Sequence, residues 1–276
     1  PRDALIAQSV DGHEVGKSFG YHRAMDTIGS VMGPLAAVIL LPMLANNYRQ
    51  LFLIAFFAGL LAVITFIFVK DIKTEPVRNR PAINMFSLKQ FNSPFKHYIS
   101  AVFIFGLGLM PISLMLLKSQ ATALGSFGIP VVYLISSASF ILFAIPFGKL
   151  SDKVGERKIL VGGFVVAIIA YAIFALTTNV IGMIVGFIIF GIYSAMTDGI
   201  MRSLASKLVS RDQLATGQGF LNAAVGISSL LAGIIGGAIW TFWGPAAAFF
   251  YGILMMAVGL LVFLSLNGVK KELQLE

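Results

Sequence analysis

The side chains able to do chemistry are few, and the densest group of them occupies one short stretch. Residues 148–158 read GKLSDKVGERK, with four basic side chains, two acids and two glycines. No charged residue occurs in residues 119–148 before it or in residues 159–197 after it. Asp152 can accept backbone N–H bonds in such a turn, and Gly155 can adopt the positive φ that ends it. The stretch therefore predicts a tight polar loop between two long apolar segments.

Catalytic and metal chemistry find little support elsewhere in the chain. Cysteine is absent, which excludes disulfides and thiolate metal sites, and the three histidines (His13, His22 and His97) lack metal-ligand spacing. The phosphate-binding pattern GxxxxGKS/T is also absent from the sequence, which argues against transport driven by ATP. The formal charge is +8, but the basic residues sit singly in loops, which argues against nucleic-acid binding. We therefore expect no enzyme activity, metal, cofactor or nucleic-acid partner.

The elements that carry the charged residues are apolar helices suited to a lipid bilayer. The chain has 276 residues and is 58% hydrophobic and 12% charged, whereas a soluble domain usually carries about 25% charged residues. Crossing the ~30 Å hydrocarbon core takes about 20 apolar residues. Eight segments of about that length are predicted spans: residues 24–46, 51–69, 98–117, 127–147, 159–176, 180–196, 217–241 and 246–266. The predicted fold class is an all-α membrane protein, a polytopic bundle of eight transmembrane helices.

The basic residues sort between the two sides of such a bundle. Eighteen of the 20 Lys and Arg fall on the side of the first residues, residues 148–158 and the C-terminus, whereas Arg49 and Lys118 fall on the other side. Because cytoplasmic loops carry the excess of Lys and Arg, the majority side is predicted to be cytoplasmic. Residues 71–97 are polar and contain three prolines, so we interpret them as a cytoplasmic linker.

The spacing G-x-L-S-D-x-x-G-x-R-K resembles the signature loop of the major facilitator superfamily, the twelve-helix secondary transporters. The residues that carry the resemblance are Gly148, Asp152, Gly155, Arg157 and Lys158. In that family the loop lies between helices two and three and again, more degenerately, between helices eight and nine. The resemblance implies that the eight spans are helices five to twelve and that the first four helices, partners of these eight, are absent. Residues 1–70 would then end the N-terminal six-helix half, and residues 98–276 would form the C-terminal half.

A second resemblance lies in the first predicted span. Gly29-x-x-x-Gly33-Pro34 is similar to the helix-five motif of the drug–proton antiporter branch, G-x-x-x-G-P-x-x-G-G. Ala36 and Ala37 stand about where that motif has its last two glycines. Small residues four apart let membrane helices approach closely, and a proline makes a helix pliable. The resemblance implies efflux coupled to protons, and close packing of an ordinary kinked helix is the alternative.

An ionisable pair, Arg23 and Asp26, lies at the cytoplasmic end of the first span. Ionisable residues at membrane depth suggest function, and a local i, i+3 ion pair at the interface is the alternative. In the family, the loop aspartate tends to dock on the pseudo-symmetric helix of the other half. The resemblance therefore implies that Asp152 meets the first span near Arg23 and closes a cytoplasmic gate. An ordinary turn is the other interpretation of Asp152.

Five further residues are candidates to line a transport cavity: Pro111, Lys118, Gln120, Tyr133 and Asn222. Pro111 would make the third predicted span a bending helix, and such transporters place their sites at pliable helices. Lys118 could face an anionic or polar substrate alongside Gln120, or its amine could extend to the lipid headgroups. Tyr133 and Asn222 are polar enough to line a cavity, although tyrosine is also a common packing residue.

These features predict an integral, multi-pass protein of a bacterial-type inner membrane, with its linker and C-terminus in the cytoplasm. The expected function is secondary active transport of a small solute by alternating access, driven by an ion gradient or by the solute's own gradient. Efflux of an amphipathic compound by proton antiport is the first hypothesis. Uptake of a small metabolite is the second, and a non-transporting sensor or scaffold on the same fold is the third.

The charge sorting can be tested by cysteine labelling in intact cells. A membrane-impermeant thiol reagent should label Arg49→Cys but neither Lys89→Cys nor Lys153→Cys, because the basic loops are expected inside. The chain has no cysteine of its own, so no background substitution is needed. Labelling of Lys153→Cys from outside would show that the predicted orientation is wrong.

Overall fold

The computed structural model of the chain describes residues 14–44, 47–65, 88–121 and 125–265, with Ile6, Val10 and Ile67 as isolated positions. Nine α-helices of at least nine residues lie in these ranges: α1 (Val15–Met43), α2 (Tyr48–Thr65), α3 (Ser93–Gly108), α4 (Ile112–Gln120), α5 (Gly125–Val154), α6 (Glu156–Leu176), α7 (Val180–Lys207), α8 (Leu214–Trp243) and α9 (Pro245–Leu264). Short 3₁₀ turns, Leu88–Gln90 and Arg211–Gln213, precede α3 and α8. These described ranges contain no strand.

Six helical segments are long and apolar enough to cross a membrane: Ser93–Gln120, Val131–Val154, Glu156–Leu176, Val180–Lys207, Arg211–Trp243 and Pro245–Leu264. They correspond one to one with the six spans predicted after the linker. A shorter apolar helix, Arg49–Thr65, corresponds to the second predicted span, and α1 covers the first. The predicted all-α polytopic class is confirmed by this succession of apolar helices.

The helix after the linker begins earlier than predicted, at the residue after Asn92. The Asn92 side chain accepts a hydrogen bond from the Phe95 backbone N–H at 2.9 Å, and Pro94 occupies the first turn, where its missing N–H costs nothing. The sequence predicts the boundary at residue 97 because the first turn of α3 is as polar as the linker before it. Residues 71–87, most of the predicted linker, lie outside the described residues.

The third predicted span is broken at Pro111, as expected. α3 ends at Gly108, and α4 begins at Ile112 with Pro111 as its N-cap. Proline has no N–H to donate to a carbonyl one turn earlier, so the α-helical ladder cannot continue through it. Two tight backbone bonds remain at the break, from Leu109 N–H to the Gly106 carbonyl and from Met110 N–H to the Gly108 carbonyl.

The polar stretch 148–158 is the end of one helix and the start of the next rather than a separate loop. Its first seven residues continue α5 to Val154, and α6 begins at Glu156, so Gly155 alone separates the two helices. Gly155 adopts a φ of 94°, the positive value that the sequence predicted. The predicted length of the loop was wrong because polarity marks the end of a membrane span, whereas a polar helix can continue beyond it. Gly244, with a φ of 89°, separates α8 from α9 in the same way.

The core of the bundle joins α3, α6 and α9 through aromatic rings. Phe105 of α3 stacks on Phe164 of α6 with the ring centroids 3.8 Å apart. Phe164 also meets Phe263 of α9 edge to face at 5.4 Å. All three side chains are buried. Such rings bury large apolar surfaces and fix the rotation of each helix about its own axis, which positions the faces that line the cavity described below.

The N-terminal half of α1 packs tightly against α5 and α7. A Cβ at Gly20 would lie 2.6 Å from the Ala144 carbonyl oxygen, and one at Gly148 would lie 2.6 Å from the Gly16 carbonyl oxygen. A Cβ at Gly199 of α7 would meet the Phe19 backbone at 3.1 Å. Small residues at these positions let the three backbones approach each other closely. This end of α1 is therefore held where its first turn can meet side chains of α5.

A leucine at Gly20 should loosen this contact. The added side chain has no room against backbone atoms of α5, and overpacking a close contact costs about 1–3 kcal/mol. We expect Gly20→Leu to lower the thermal unfolding midpoint of the detergent-purified protein. Gly59→Leu on α2 is the matched control, since nothing described lies within 4 Å of a Cβ there. Equal midpoints for the two variants would contradict the tight packing of α1.

Candidate functional site

Asp152 binds the first turn of α1. Its Oδ1 accepts a hydrogen bond from the Gly16 backbone N–H, and its Oδ2 accepts one from the Lys17 backbone N–H, both at 2.8 Å. The first N–H groups of a helix have no partner within the helix, and they carry the positive end of its dipole. A carboxylate from α5 therefore caps a helix that begins about 136 residues earlier in the chain.

The partner of Asp152 differs from the one that the family resemblance implied. The resemblance placed the carboxylate near Arg23, whereas it binds the start of the same helix, almost two turns earlier. The Lys17 side chain is engaged locally: its Nζ donates to Glu14 Oε1 at 2.8 Å. That hydrogen bond, together with the charge of Lys17, lowers the pKa of the Glu14 carboxyl. The two N–H groups are therefore the contacts through which Asp152 holds α1.

Two further residues of the stretch 148–158, which we call the signature stretch, connect α6 to neighbouring helices. Arg157 Nη2 donates to the carbonyl of Leu264, the last residue of α9, at 3.0 Å. The buried Glu156 carboxylate forms an ion pair with Lys207 at 2.5 Å and accepts the Ser203 hydroxyl at 2.9 Å. Sequence reasoning did not select Glu156. Its position directly after a turn glycine, where an acid complements a helix N-terminus, was the available signal.

A second group of charges joins α1 to α7. Arg23 Nε of α1 lies 3.5 Å from Asp198 Oδ2 of α7, and Arg23 Nη1 lies 3.5 Å from Asp26 Oδ2. Asp198 Oδ1 is bound more closely by Arg202 Nη1, one turn further along α7, at 2.5 Å. The local pair predicted between Arg23 and Asp26 is present, and Arg23 makes a longer-range contact besides. We call Arg23, Asp26, Asp198 and Arg202 the α1–α7 charge cluster.

A cavity of about 330 Å³ lies between α3, α4, α7 and α8, and it reaches this cluster at Asp198. Its apolar wall includes Phe105, Met110, Pro111, Ile112, Phe190 and Met201. Its polar wall is formed by Tyr193, Ser194, Thr197, Asp198, Ser228 and Ser229. The broken segment between α3 and α4 contributes a continuous part of the wall. A single carboxylate in a mostly apolar cavity suits the binding of a small amphipathic molecule.

The family of the chain is decided by comparison with known proteins. The model of the Major Facilitator Superfamily matches residues 98–275. An uncharacterized MFS-type transporter of Methanocaldococcus jannaschii is 32% identical over 269 residues, which are 95% of this chain and 67% of that protein. The chain belongs to the Major Facilitator Superfamily.

Two further relatives carry functional names. A probable 4-methylmuconolactone transporter of Cupriavidus pinatubonensis is 25% identical over 70% of the chain and 48% of its own length. Multidrug resistance protein D of Escherichia coli is 27% identical over 40% of the chain and 28% of its own length. The chain thus spans about two thirds or less of the length of the curated relatives that it matches. Membership of the superfamily indicates membrane transport rather than catalysis.

Of the residues predicted to line a transport cavity, some lie in or near the wall of the cavity described above and others lie away from it. Pro111 lies in the wall. Asn222 is exposed on α8, one turn before Val225, which lies in the wall. Tyr133 is half-buried on α5, and Gln120 is exposed at the end of α4; neither contributes to this cavity. The serines and threonine of the polar wall were not selected from the sequence, since hydroxyl residues are common in every membrane helix.

Lys118 neither lines the cavity nor extends to the headgroups, so both interpretations made from the sequence were wrong. The side chain is only 9% exposed, and its Nζ donates to the carbonyls of Phe174 and Ala175 in the last turn of α6. The ammonium also lies 5.3 Å from the centre of the Phe249 ring. Helix ends leave carbonyls without internal partners, and a cation there also complements the helix dipole. Lys118 therefore caps α6 from α4.

The helix-five-like motif, formed by Gly29, Gly33 and Pro34, has no close partner at its glycines among the described residues. Nothing described lies within 4 Å of a Cβ built at Gly29 or Gly33, so the close contact expected there does not involve the described residues of α3 to α9. The side chain of Pro34 lies outside the described part of the structure. The close approach of α1 to α5 and α7 that the structure describes therefore lies in the first half of α1, at Gly16 and Gly20.

Removal of the Lys118 ammonium should destabilise the protein without altering the cavity. Lys118→Met keeps most of the side-chain volume but leaves carbonyls of α6 unpaired in a buried place, at a cost of about 1–3 kcal/mol. We expect a lower thermal unfolding midpoint in detergent. Lys149→Met is the control, because Lys149 is exposed. An unchanged midpoint for Lys118→Met would refute the capping role.

Proposed function

We propose that the protein is a secondary transporter that moves a small solute across the membrane by alternating access, with the cavity between α3, α4, α7 and α8 as its binding site. Membership of the superfamily supports membrane transport of a small solute. The observation that carries the proposal is the pair of hydrogen bonds from the first turn of α1 to Asp152. They hold two helices together at one end of the bundle, and they can be made only while those helices touch.

The Asp152 contact has the properties of a latch. Hydrogen bonds to a charged group contribute about 1.5–3 kcal/mol each, more than neutral ones do. Both bonds from α1 end on one carboxylate, so they form and break together. The contact therefore stabilises the conformation in which this end is closed and contributes nothing to the open one. An interaction that differs between two states is what shifts their populations.

We assign the latched end to the cytoplasm. Lys153, Arg157 and Lys207 lie at this end of the bundle, and the excess of basic residues in the sequence supports that orientation. The conformation with Asp152 docked would then be outward-facing. In this orientation the linker and the C-terminus lie in the cytoplasm, and the membrane is the inner one. The gating role extends from Asp152 to the other residues of the signature stretch, Gly148, Gly155, Arg157 and Lys158.

Efflux of an amphipathic compound coupled to protons is the first form of this proposal. The helix-five-like motif and the similarity to Multidrug resistance protein D support it. Uptake of a small metabolite is the second form, and the similarity to a probable 4-methylmuconolactone transporter supports a small organic solute. In both forms the energy comes from a gradient rather than from ATP.

Vectorial flux in proteoliposomes tests the function itself. The full-length protein is reconstituted, and accumulation of two permanently charged fluorescent probes, (2-naphthylmethyl)trimethylammonium and 2-naphthalenesulfonate, is followed with and without an imposed proton gradient. A transporter gives flux of at least one probe above protein-free vesicles, and a proton-coupled one gives flux that follows the gradient. No flux of either probe would favour the sensor or scaffold alternative.

The variant Asp152→Asn tests the latch. An asparagine offers one acceptor oxygen in place of two, so one N–H of α1 loses its partner and the charge assistance disappears. A loss of about 1–3 kcal/mol in the closed state alone changes the ratio of the two states about five- to a hundredfold. The variant should insert normally, rest with the latched end open and transport slowly.

Spin labels on Tyr21→Cys and Ser210→Cys, at exposed positions of α1 and of the segment after α7, report the opening. Double electron–electron resonance should show longer distances in the Asp152→Asn background. Lys153→Gln is the matched control, since it removes a neighbouring exposed charge that forms no hydrogen bond or ion pair with the described residues of α1. Unchanged distances together with unchanged flux would show that Asp152 is an ordinary helix-end residue with no role in gating.

A further inference from the structure

We infer that the cavity selects amphipathic molecules carrying a protonated, hydrogen-bond-donating nitrogen, and that this nitrogen binds Asp198 in exchange for Arg23. The inference rests on the proposed function, because it names the substrate class of the same cavity. It assigns two roles to Asp198: to recognise the ligand, and to couple ligand binding to the loosening of the latched end. Four observations support it: the hydroxyl groups of the wall, its aromatic rings, the geometry of Asp198 and the position of Arg23.

The polar wall of the cavity offers mainly hydrogen-bond acceptors. The Ser194 hydroxyl donates its proton to the Phe190 carbonyl at 3.0 Å, and the Thr197 hydroxyl donates to the Tyr193 carbonyl at 2.9 Å. Ser228 does the same within α8, to the Val225 carbonyl at 3.1 Å. A hydroxyl whose single proton is used in its own helix presents only lone pairs to a ligand. These groups therefore suit a ligand that brings its own donors.

The aromatic side of the wall also favours a cation. Phe105, Phe190 and Tyr193 line the cavity, and the rings of Phe190 and Tyr193 lie 5.5 Å apart between their centroids. The face of an aromatic ring attracts an ammonium group, and the attraction grows when the pair is removed from water. The same rings bury the apolar part of an amphipathic ligand. The cavity is therefore suited to an aromatic or aliphatic skeleton that ends in an amine.

Asp198 contributes a carboxyl group to the cavity wall, and its two oxygens are held differently. Oδ1 lies 2.5 Å from Arg202 Nη1, within one helix. Oδ2 lies 3.5 Å from Arg23 Nε, well beyond the ~2.7–2.9 Å of a strong charge-assisted bond. The side chain is 37% exposed, which leaves room for a ligand to approach it. An ammonium reaching Oδ2 would replace the weaker of the two contacts and leave Arg202 in place.

Arg23 has a second carboxylate ready to accept it. Asp26 Oδ2 lies 3.5 Å from Arg23 Nη1, on the same helix α1. His22 Nδ1 also faces this carboxylate, at 3.6 Å. When a ligand displaces Arg23 from Asp198, the guanidinium therefore keeps a partner, and the exchange leaves no charge isolated. The contact that is lost is the ion pair between α1 and α7, so occupancy of the cavity loosens the latched end.

One feature of the cavity would favour the opposite charge. Ile112 begins α4 in the cavity wall, and the first N–H groups of a helix attract anions. An anionic ligand placed there would leave Asp198 bound to Arg23. The experiment therefore includes an anion of the same skeleton, so that the two ends of the cavity are compared directly.

Four probes with one naphthalene skeleton separate these possibilities: 2-naphthylmethylammonium, its trimethylammonium analogue, 2-naphthylmethanol and 2-naphthoate. Equilibrium binding to the full-length protein in detergent is measured by calorimetry for the wild type, Asp198→Asn and Glu14→Gln. Glu14→Gln is the matched control because it removes an exposed carboxylate that pairs with Lys17 and lies outside the cavity wall. The spin-label pair at Tyr21→Cys and Ser210→Cys is recorded with each probe.

The ammonium should bind about five- to tenfold more tightly than the alcohol, since a charge-assisted hydrogen bond is roughly twice as strong as a neutral one. The trimethylammonium probe, which has no N–H, should fall between them, and the carboxylate should bind most weakly. Asp198→Asn should abolish the preference for the ammonium and leave the affinity for the alcohol within about twofold. Glu14→Gln should keep the preference. In the wild type, only the ammonium should lengthen the distance between the labels.

A preference for the carboxylate, equal affinity for all four probes, or an ammonium preference that survives Asp198→Asn would overturn the inference. If those results accompany gradient-driven flux of the sulfonate probe, the transport function stands and only the substrate class is wrong. If no probe is transported and the label distances never change, the proposed transport function is wrong, and the inference about its substrate is wrong with it. Unfolding of Asp198→Asn is excluded by its retained affinity for the alcohol, and loss of that affinity as well would count against a specific role of the carboxylate.

Discussion

The backbone N–H groups at the start of α1 require partners that the helix itself cannot supply. Water satisfies them at an exposed helix end, but against a packed neighbour they need an acceptor from the protein. Asp152 provides both of its oxygens, and it does so from a helix far away in the sequence. Because the acceptor and the donors belong to different segments, the need to satisfy them links the positions of α1 and α5. The contacts around this end of the bundle follow from that link.

Close packing of small residues is what allows the link to form. Gly16, Gly20 and Gly148 bring the backbones of α1 and α5 so near that any side chain there would collide with a carbonyl. A carboxylate has a short reach, so it meets the N–H groups at 2.8 Å only because the two helices touch. In a membrane, where lipid competes with protein for apolar surfaces, such backbone proximity contributes more to specificity than hydrophobicity does. The glycines and the aspartate therefore act as one unit.

The helices themselves could be predicted from the sequence because each depends on local information. Apolar length marks the spans, Pro111 breaks one of them, and Gly155 separates α5 from α6 with the predicted positive φ. The partners of charged groups could not be predicted, since they depend on contacts between distant segments. Lys118 was expected at the cavity or at the membrane interface, but its amine binds carbonyls at the end of α6. Asp152 was expected near Arg23, on the correct helix but at the wrong turn, because the register between two helices is not encoded in either one alone.

Two carboxylates, one on α5 and one on α7, hold α1, and only the one on α7 lies where a bound solute can contact it. Asp152 is engaged with backbone groups and lies outside the cavity wall, so a bound solute cannot reach it directly. Asp198 lies in the wall and holds α1 through a long contact to a side chain that has an alternative partner. Backbone hydrogen bonds at 2.8 Å suit a contact that stabilises one conformation, and a 3.5 Å ion pair suits one that is exchanged. The two positions on α1, Lys17 and Arg23, are six residues apart on one rigid helix, so weakening the second contact lowers the free energy needed to break the first. Stability of the closed end and its response to the solute can therefore be carried by different residues, and either can change without loss of the other.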